Sequence, residues 1–121
     1  MRDHKSLLAW VEARTVTKAA FKLTRTHRTP HAAELFRQLQ RAALSIQLNI
    51  AEGHALGDRG RFGNHLAVAY GSATETAELI ELAVDDASLP KECGEQLLIH
   101  TQQCERLLLG LLKRYRDLPV R

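Results

Sequence analysis

Helix-breaking residues divide the sequence into four long segments, and this division constrains the fold more than any other feature. The chain has only three prolines and seven glycines among its 121 residues. Between them, apolar residues recur every three to four positions, which is the period of an amphipathic helix. We predict helices at about Ser6–Thr24, Pro30–Glu52, Arg61–Ala87 and Pro90–Arg116. Helices of this length with short connections pack as antiparallel neighbours, so we expect an all-α, up-down-up-down four-helix bundle that forms one domain over residues 1–121.

Short motifs predict where individual helices begin and end. The Thr29–Pro30 pair, and Ser88 followed by Pro90, are typical of a capping residue followed by proline in the first helical turn. Gly53 and Gly57 are candidate terminators of the second helix, because glycine readily adopts the left-handed conformation that often ends a helix.

Composition excludes several classes of protein. Apolar residues make up 45% and charged residues 26% of the chain, as in ordinary globular domains. No apolar run approaches the ~20 residues that a membrane span needs, and the first ten residues lack the apolar region of a signal peptide. We therefore expect a cytoplasmic protein without a membrane partner.

The two cysteines indicate reduced thiols. Cys93 and Cys104 lie eleven residues apart in one predicted helix, which corresponds to about 16 Å of helical rise. That distance is far beyond the reach of a disulfide, and no further ligands lie at the spacing of a zinc site.

Two predicted helices carry apolar residues on two opposite sides. The stripe of the second helix that we expect to face the core consists of Leu39, Ala43, Ile46 and Ile50. The core stripe of the third helix consists of Phe62, Leu66, Ala69, Ala73, Ala77, Ile80 and Val84. A second apolar row on the backs of both helices consists of Leu44, Leu48, Val68, Leu79 and Leu82. Because such a row would leave a sizeable apolar patch in water, we expect a homo-oligomer with this row as its interface. The alternative is a monomer with a few surface leucines.

A row of short polar residues lies between the core stripe and the second apolar row. Ser45, Asn49 and Glu52 fall at positions i, i+4 and i+7 of the second helix, one above another. We define the polar seam as these three residues together with Arg41, Gly71, Ser72 and Glu75. If both apolar stripes are buried, these groups need partners, since an unpaired buried polar group costs roughly 1–3 kcal/mol. We predict an ion pair between Arg41 and Glu75, within one subunit or between two, and a close backbone approach at Gly71.

Two blocks of the sequence resemble a known family. QLQRAALSIQLNIAEG (38–53) and FGNHLAVAYGSATE (62–75) are similar to the intervening-sequence proteins encoded within 23S rRNA genes, a bacterial family related to the accessory proteins of diversity-generating retroelements. The resemblance implies a four-helix bundle that assembles as a ring-like homopentamer, with no catalytic residue. For the retroelement branch, it also implies a basic pentamer that works with a reverse transcriptase and nucleic acid.

The chain departs from the family pattern at three places. Gln40 replaces the first arginine of an Arg-Arg pair, and His65 stands where the family has a second phenylalanine. HRTPH (27–31) replaces a Phe-Pro-x-x-Glu corner, so we expect the first connection to differ in shape.

The sequence lacks the motifs that would indicate an enzyme. No glutamate is followed by a histidine three residues later, as a di-metal bundle requires, and no phosphate-binding glycine loop is present. The six histidines are dispersed, although His65 and His100 could approach each other across two helices. We therefore expect no catalytic residue, no metal and no cofactor.

Charge is unevenly distributed along the chain. Residues 1–61 contain eleven lysines and arginines against five acidic residues, whereas residues 62–121 contain six against nine. The antiparallel topology collects the N-terminus, the second connection and the C-terminus at one end of the bundle, which we call the basic end. Its eight cations, against three aspartates, include the candidate nucleic-acid-binding residues Arg2, Lys5, Arg59, Arg61, Lys113, Arg114 and Arg116.

These patterns lead to two hypotheses for the function. The first is a non-enzymatic, ring-like oligomer that binds the RNA or DNA backbone, or recruits an RNA-processing protein, through its basic end. Aromatic residues are only 5% of the chain, so we expect backbone contacts with little base stacking. The second is a structural scaffold that binds another protein on the acidic surface of the third helix. A simpler explanation of the cations is that they complement the negative ends of the second and fourth helices.

Overall fold

Four α-helices pack side by side in the structure, a computed structural model that describes His4 and residues 7–116. The helices are α1 (Leu8–Thr26), α2 (Ala33–Ala55), α3 (Arg59–Asp85) and α4 (Lys91–Tyr115). Each helix contacts the helices before and after it, and α4 closes the bundle against α1. The diagonal pairs α1–α3 and α2–α4 make no close contact within the described residues. The predicted all-α four-helix bundle is confirmed.

The core contains small and branched side chains that let the helices approach closely. The predicted core stripe of α2 is confirmed, because all four of its residues are fully buried: Leu39, Ala43, Ile46 and Ile50. The members of the α3 stripe are buried from Phe62 to Ile80, whereas Val84 is only partly buried. Alanine occupies many of the buried positions on α1 and on α3, which lets each of these helices approach its neighbours closely.

Three threonines lie in this core with their hydroxyl groups satisfied. Thr24, Thr76 and Thr101 are at most 2% exposed. Each hydroxyl donates to the backbone carbonyl four residues earlier, at 2.7–2.8 Å. Because an unpaired buried hydroxyl is costly, these hydrogen bonds explain how threonine is accommodated among apolar neighbours.

The predicted start of α2 is wrong by three residues. The helix begins at Ala33, and Pro30 lies in the turn before it. Thr29 caps that turn and not the helix, since its hydroxyl oxygen accepts a hydrogen bond from the Ala32 N–H at 3.2 Å. The proline therefore shapes the connection between α1 and α2.

The start of α4 also differs in detail from the prediction. The helix begins at Lys91, with Pro90 at the capping position. Ser88 does not cap it, because its hydroxyl donates to the Asp86 carboxylate at 2.8 Å. His31 Nε2 lies 3.0 Å from the same carboxylate. The hydrogen bonds from Ser88 and then His31 lower the pKa of Asp86 below its usual value of 3.8. His31 belongs to residues 27–31, the stretch between α1 and α2 that departs from the family pattern. Its contact with Asp86 links this connection to the one between α3 and α4.

The remaining helix ends agree with the predictions to within a few residues. The predicted start of α1 at Ser6 lies outside the described residues, and α1 is described from Leu8. α2 continues through Gly53 and ends at Ala55, so the prediction of Gly53 as a terminator is wrong. Gly57 has a φ of +67°, the left-handed conformation that ends many helices.

The outer surface carries scattered apolar side chains. Those most exposed are Leu8, Val11, Leu48, Leu56, Val68, Leu82 and Ile99. Two predicted members of the second apolar row are partly buried instead, namely Leu44 and Leu79, and Leu79 packs against the core. None of the described helices combines the length and the apolarity that crossing a bilayer requires.

The two cysteines are free thiols that differ in burial. Cys104 is fully buried, whereas Cys93 is partly exposed. Burial raises the pKa of Cys104 from 9.0 to about 12, and the carboxylates of Glu12 and Glu105 add to the increase. This shift lowers the thiolate fraction of Cys104 roughly a thousandfold.

A thiol-specific alkylating reagent should therefore modify Cys93 much faster than Cys104 in the folded protein. The reagent attacks the thiolate, which Cys104 forms rarely and which the core covers. In denaturing guanidinium chloride, both cysteines should react at similar rates. Mass spectrometry of peptides after timed quenching measures both rates, and a Cys93→Ser variant isolates the slow site. Equal rates without denaturant would contradict the burial of Cys104.

Candidate functional site

Four side chains form a continuous line of hydrogen bonds between α2 and α3, which we call the polar line. Ser45 Oγ lies 2.8 Å from Ser72 Oγ. Asn49 Nδ2 lies 2.9 Å from the backbone oxygen of Ser45 and 3.1 Å from its Oγ. His65 Nδ1 lies 3.0 Å from Asn49 Oδ1. Ser72 is buried and the other three side chains are partly buried, so the polar line occupies the contact between the two helices.

The backbone carbonyl of Ser45 determines the direction of these hydrogen bonds. A carbonyl oxygen can only accept, so the Asn49 group that faces it is the amide NH2, and the amide oxygen faces His65. His65 Nδ1 therefore carries a proton and donates it to that oxygen. The Asn49 amide also donates to Ser45 Oγ, and either hydroxyl can donate in the contact between Ser45 and Ser72. The direction of donation is thus determined from His65 through Asn49 to Ser45.

This order of donors leaves the polar line without an activated nucleophile. A serine becomes nucleophilic when a base within hydrogen-bond reach can take its proton. The group beside Ser45 is an amide that donates, and Asn49 separates His65 from both serines. What the arrangement does is satisfy polar groups and hold two helices in one register.

The two helices approach each other closely where the polar line ends. A Cβ atom added to Gly53 would lie 2.5 Å from Cβ of His65 and 3.1 Å from Cδ1 of Phe62. Gly53 thus leaves the space that His65 occupies beside Asn49. The sequence pattern did not reveal this role for His65, although a polar residue where the family has phenylalanine was a signal that the position needs a hydrogen-bonding partner.

The other members of the polar seam are exposed. These are Arg41, Glu52, Gly71 and Glu75. The ion pair predicted between Arg41 and Glu75 is not formed within the described chain, where Arg41 donates to Gln38 Oε1 at 2.5 Å. An Arg41–Glu75 pair between two subunits stays a prediction. No other described helix approaches Gly71 closely either, because a Cβ atom added there would meet no atom of another helix within 4 Å.

Three members of the second apolar row are about half exposed. The exposed fraction is 46% for Leu48 and 54% for both Val68 and Leu82. Leu44 instead borders a groove between α1 and α2, beside Phe21. The row is thus less continuous than the sequence predicts, and its use as a subunit interface stays a prediction.

Five of the predicted cations at the basic end are exposed. They are Arg59 and Arg61 in the first turn of α3, Lys113 and Arg114 in the last turn of α4, and Arg116 after it. The carboxylate of Asp58 caps α3 by accepting from the N–H groups of Gly60 at 2.8 Å and Arg61 at 3.2 Å. Two further predicted cations, Arg2 and Lys5, lie outside the described residues.

Arg59 is held against α4. Its guanidinium lies 4.8 Å from the ring centroid of Tyr115, and it donates to the backbone carbonyl of Arg114. A cation–π contact and a hydrogen bond together restrict a long side chain that would otherwise be mobile. Arg59 is therefore pre-organised at the basic end.

A row of rings connects all four helices at the basic end. Neighbouring ring centroids are 5.2 Å apart for His4 and Trp10, 6.5 Å for His4 and His54, 5.7 Å for His54 and Phe62, and 4.8 Å for Phe62 and Tyr115. The rings meet edge to face, as aromatic pairs prefer. The low aromatic content of the sequence did not predict this row of rings, because composition does not show which residues are close together in the fold.

The described residues contain no cluster of three or more His, Cys, Asp or Glu side chains that could hold a metal ion. The suggested approach of His65 to His100 does not occur. His100 Nδ1 lies 2.5 Å from Glu12 Oε1 on α1, whereas His65 contacts Asn49 on α2.

Substitution of Gly53 by alanine should destabilise the protein by about 1–3 kcal/mol, because the added methyl group forces α2 and α3 apart. Gly110→Ala is the matched control, since an added Cβ there meets no atom within 4 Å. Alanine in place of that exposed helical glycine should increase stability by up to ~1 kcal/mol. Urea unfolding followed by circular dichroism measures both changes, and equal effects of the two substitutions would contradict the close approach at Gly53.

Comparisons with known proteins agree with this architecture. The profile of the family described as 23S rRNA-intervening sequence protein matches residues 5–110, whereas a search of curated proteins found no match. A crystal structure of a protein of unknown function from the S23 ribosomal protein family of Bacteroides thetaiotaomicron is similar, with a TM-score of 0.73 and 21% sequence identity over 88% of this chain and 99% of that chain. At that identity, the likeness shows a shared fold. Because the family profile spans most of the sequence, the chain belongs to the 23S rRNA-intervening sequence protein family.

Proposed function

We propose that this chain is a non-enzymatic subunit of a ring-like homo-oligomer, a pentamer, that binds the backbone of RNA or DNA through its basic end. Each subunit would contribute the same set of cations. In a ring whose subunits all point one way, those cations repeat around one face, which multiplies weak phosphate contacts into useful affinity.

The observation that carries this proposal is the position of Arg59 and Arg61. Both lie in the first turn of α3, which has no acidic residue. The N-terminal end of a helix carries a partial positive charge, so cations there are unfavourable. The helix dipole explains Lys113 and Arg114, in the last turn of α4, and the Arg59 guanidinium, which donates to the Arg114 carbonyl at the same helix end, but it does not explain Arg61. Five exposed cations at one end of the bundle, with Arg61 at an unfavourable position, favour an anionic ligand over a purely structural explanation.

Further support comes from the restraint on Arg59. Its stacking on Tyr115 and its hydrogen bond to the Arg114 carbonyl reduce the entropy that the side chain would lose on meeting a phosphate. A surface cation kept only for solubility would gain nothing from such restraint.

The absence of an enzyme activity is part of the proposal and has its own support. The polar line contains no base beside a hydroxyl. The buried thiol of Cys104, whose pKa is raised to about 12, is a poor nucleophile. No metal-binding cluster occurs among residues 7–116 and His4.

The competing hypothesis is a scaffold that binds another protein through the acidic surface of α3. It is favoured by Glu75, Glu78 and Glu81, which are all exposed. This hypothesis predicts no dependence of function on the arginines at the basic end.

A variant with Arg59, Arg61, Arg114 and Arg116 replaced by glutamine should bind structured RNA much more weakly than the unmodified protein. Each phosphate contact removed should also flatten the dependence of log affinity on log salt concentration by about 0.7–0.9. Gel shifts over a salt series measure both effects. Binding that is unchanged in affinity and salt dependence would exclude the basic end as the site.

The matched control removes four exposed cations elsewhere, at Arg28, Arg37, Lys91 and Arg106. It has the same net charge as the first variant, so equal losses in both would indicate non-specific attraction. If the unmodified protein shifts neither RNA nor DNA at low salt, the nucleic-acid proposal is wrong and the scaffold hypothesis stands.

A further inference from the structure

The outer face of α1 carries a basic stripe that begins with two apolar residues. Its exposed members are Leu8, Val11, Arg14, Lys18, Lys22 and Arg25, at helical spacings of three and four. Leu8 is 71% and Val11 46% exposed. α1 contains four basic residues and only one acidic residue, Glu12, so this stripe is strongly positive. We call it the α1 stripe.

The outer face of α3 carries an acidic stripe that also begins with an apolar side chain and a small residue. Its exposed members are Val68, Gly71, Glu75, Glu78, Leu82 and Asp85. Between Val68 and Asp85 the helix contains four acidic residues and no basic one. We call it the α3 stripe.

The two stripes agree in order and, at five of their six positions, in spacing, whereas Arg14 and Glu75 are out of register by one residue. Positions on α3 sixty residues further along the chain correspond to those on α1, so Val68 matches Leu8 and Gly71 matches Val11. In the charged part, Glu78 matches Lys18.

Two further pairs of positions also correspond at this offset of sixty residues. Asp85 corresponds to Arg25, and Leu82 corresponds to Lys22. The aliphatic stem of a lysine can cover a leucine while its ammonium group reaches a nearby carboxylate, which Glu81 supplies in the sequence.

We propose that the α1 stripe of one copy of this chain packs against the α3 stripe of a second copy. This inference rests on the proposed homo-oligomer and names its two contacting surfaces. The occupant is a second copy because the two stripes carry opposite charges at corresponding positions, and both begin with exposed apolar residues. A nucleic-acid backbone would use the cations of α1 but would leave Leu8 and Val11 without a purpose.

The fold places the stripes so that they cannot meet within one chain. α1 and α3 are a diagonal pair without close contact among the described residues, so their outer faces look away from each other. Two different surfaces on one subunit form a head-to-tail contact, and repeated head-to-tail contacts close into a ring when the rotation between subunits allows it.

Helix direction supports the same arrangement. α1 and α3 both start at the basic end, because α2 runs antiparallel between them. In a ring whose subunits point one way, the two stripes lie parallel, with apolar against apolar and positive against negative. Gly71 then allows close backbone approach beside Val11, since no described atom beyond its chain neighbours and the nearby backbone of α3 lies within 4 Å of its Cβ position.

The charged groups of both stripes are free to form such pairs. Lys18, Lys22 and Arg25 make no side-chain hydrogen bond or ion pair with any described residue, nor do Glu78 and Asp85. Pairing them across an interface therefore breaks no contact inside the subunit. The basic end stays uncovered in this arrangement, as nucleic-acid binding requires.

Charge reversal of each stripe tests the inference. One variant carries Lys18→Glu and Arg25→Glu, a second carries Glu78→Lys and Asp85→Lys, and a third carries all four changes. Light scattering after size exclusion gives the molar mass of each. We expect the first two variants to associate at least ~100-fold more weakly than the unmodified protein, because like charges then face each other. The third variant should recover the mass of the unmodified protein, since its charges are opposite again.

Two controls separate the interface from net charge and from folding. Lys91→Glu with Arg106→Glu, and Glu92→Lys with Glu95→Lys, make the same changes in net charge on the exposed surface of α4 and should keep the original mass. Mixing the two single-stripe variants should produce mixed assemblies without any refolding, because each variant offers a surface of opposite charge to the other, although a closed five-membered ring of the two would keep one like-charged contact.

The outcomes distinguish this inference from the proposed function. If the unmodified protein is oligomeric but both single-stripe variants keep its mass, the stripes are not the interface, although the proposed oligomer stands. If the unmodified protein is a monomer, the inference and the proposed oligomer both fail, while RNA binding by the basic end remains separately measurable. If reversing the α1 stripe weakens RNA binding and leaves the mass unchanged, the stripe is a nucleic-acid contact and the inference is overturned.

Discussion

The contact between α2 and α3 determines where the other parts of the molecule lie. Its polar line keeps each donor opposite an acceptor, and a shift of one helical turn, about 5.4 Å, would leave Asn49 and Ser45 without these partners. At the end of the line, Gly53 leaves space for His65. Polar contacts of this kind contribute little net stability, but they disfavour alternative registers that an alanine-rich core would tolerate.

With that register set, the basic end acquires a definite structure. Phe62 lies between His54 on α2 and Tyr115 on α4, and Tyr115 in turn holds Arg59. The ring contacts thus transmit the position of α3 to the cations that the proposed function uses. The same register leaves the outer faces of α1 and α3 on opposite sides of the bundle, where one copy can present them to the next.

Helical periodicity predicted the bundle and the core stripes, because burial of an apolar face determines both. Helix starts were less predictable, since Pro30 fits a turn as well as a first helical turn. The role of His65 depended on space left by Gly53 on another helix, which no local pattern contains. The Arg41–Glu75 pair was expected because both residues would be buried if both apolar stripes were, yet in the single chain both are exposed and Arg41 donates to Gln38.

The hydrogen bonds of the polar line hold α2 and α3 in one register. A double-mutant cycle on Asn49→Ala and His65→Ala, measured by urea unfolding, is the direct test. We expect the two changes to be coupled, with an interaction free energy of roughly 0.5–3 kcal/mol. If the change in the free energy of unfolding of the double variant equals the sum of the two single changes, the contact between the two residues is contradicted.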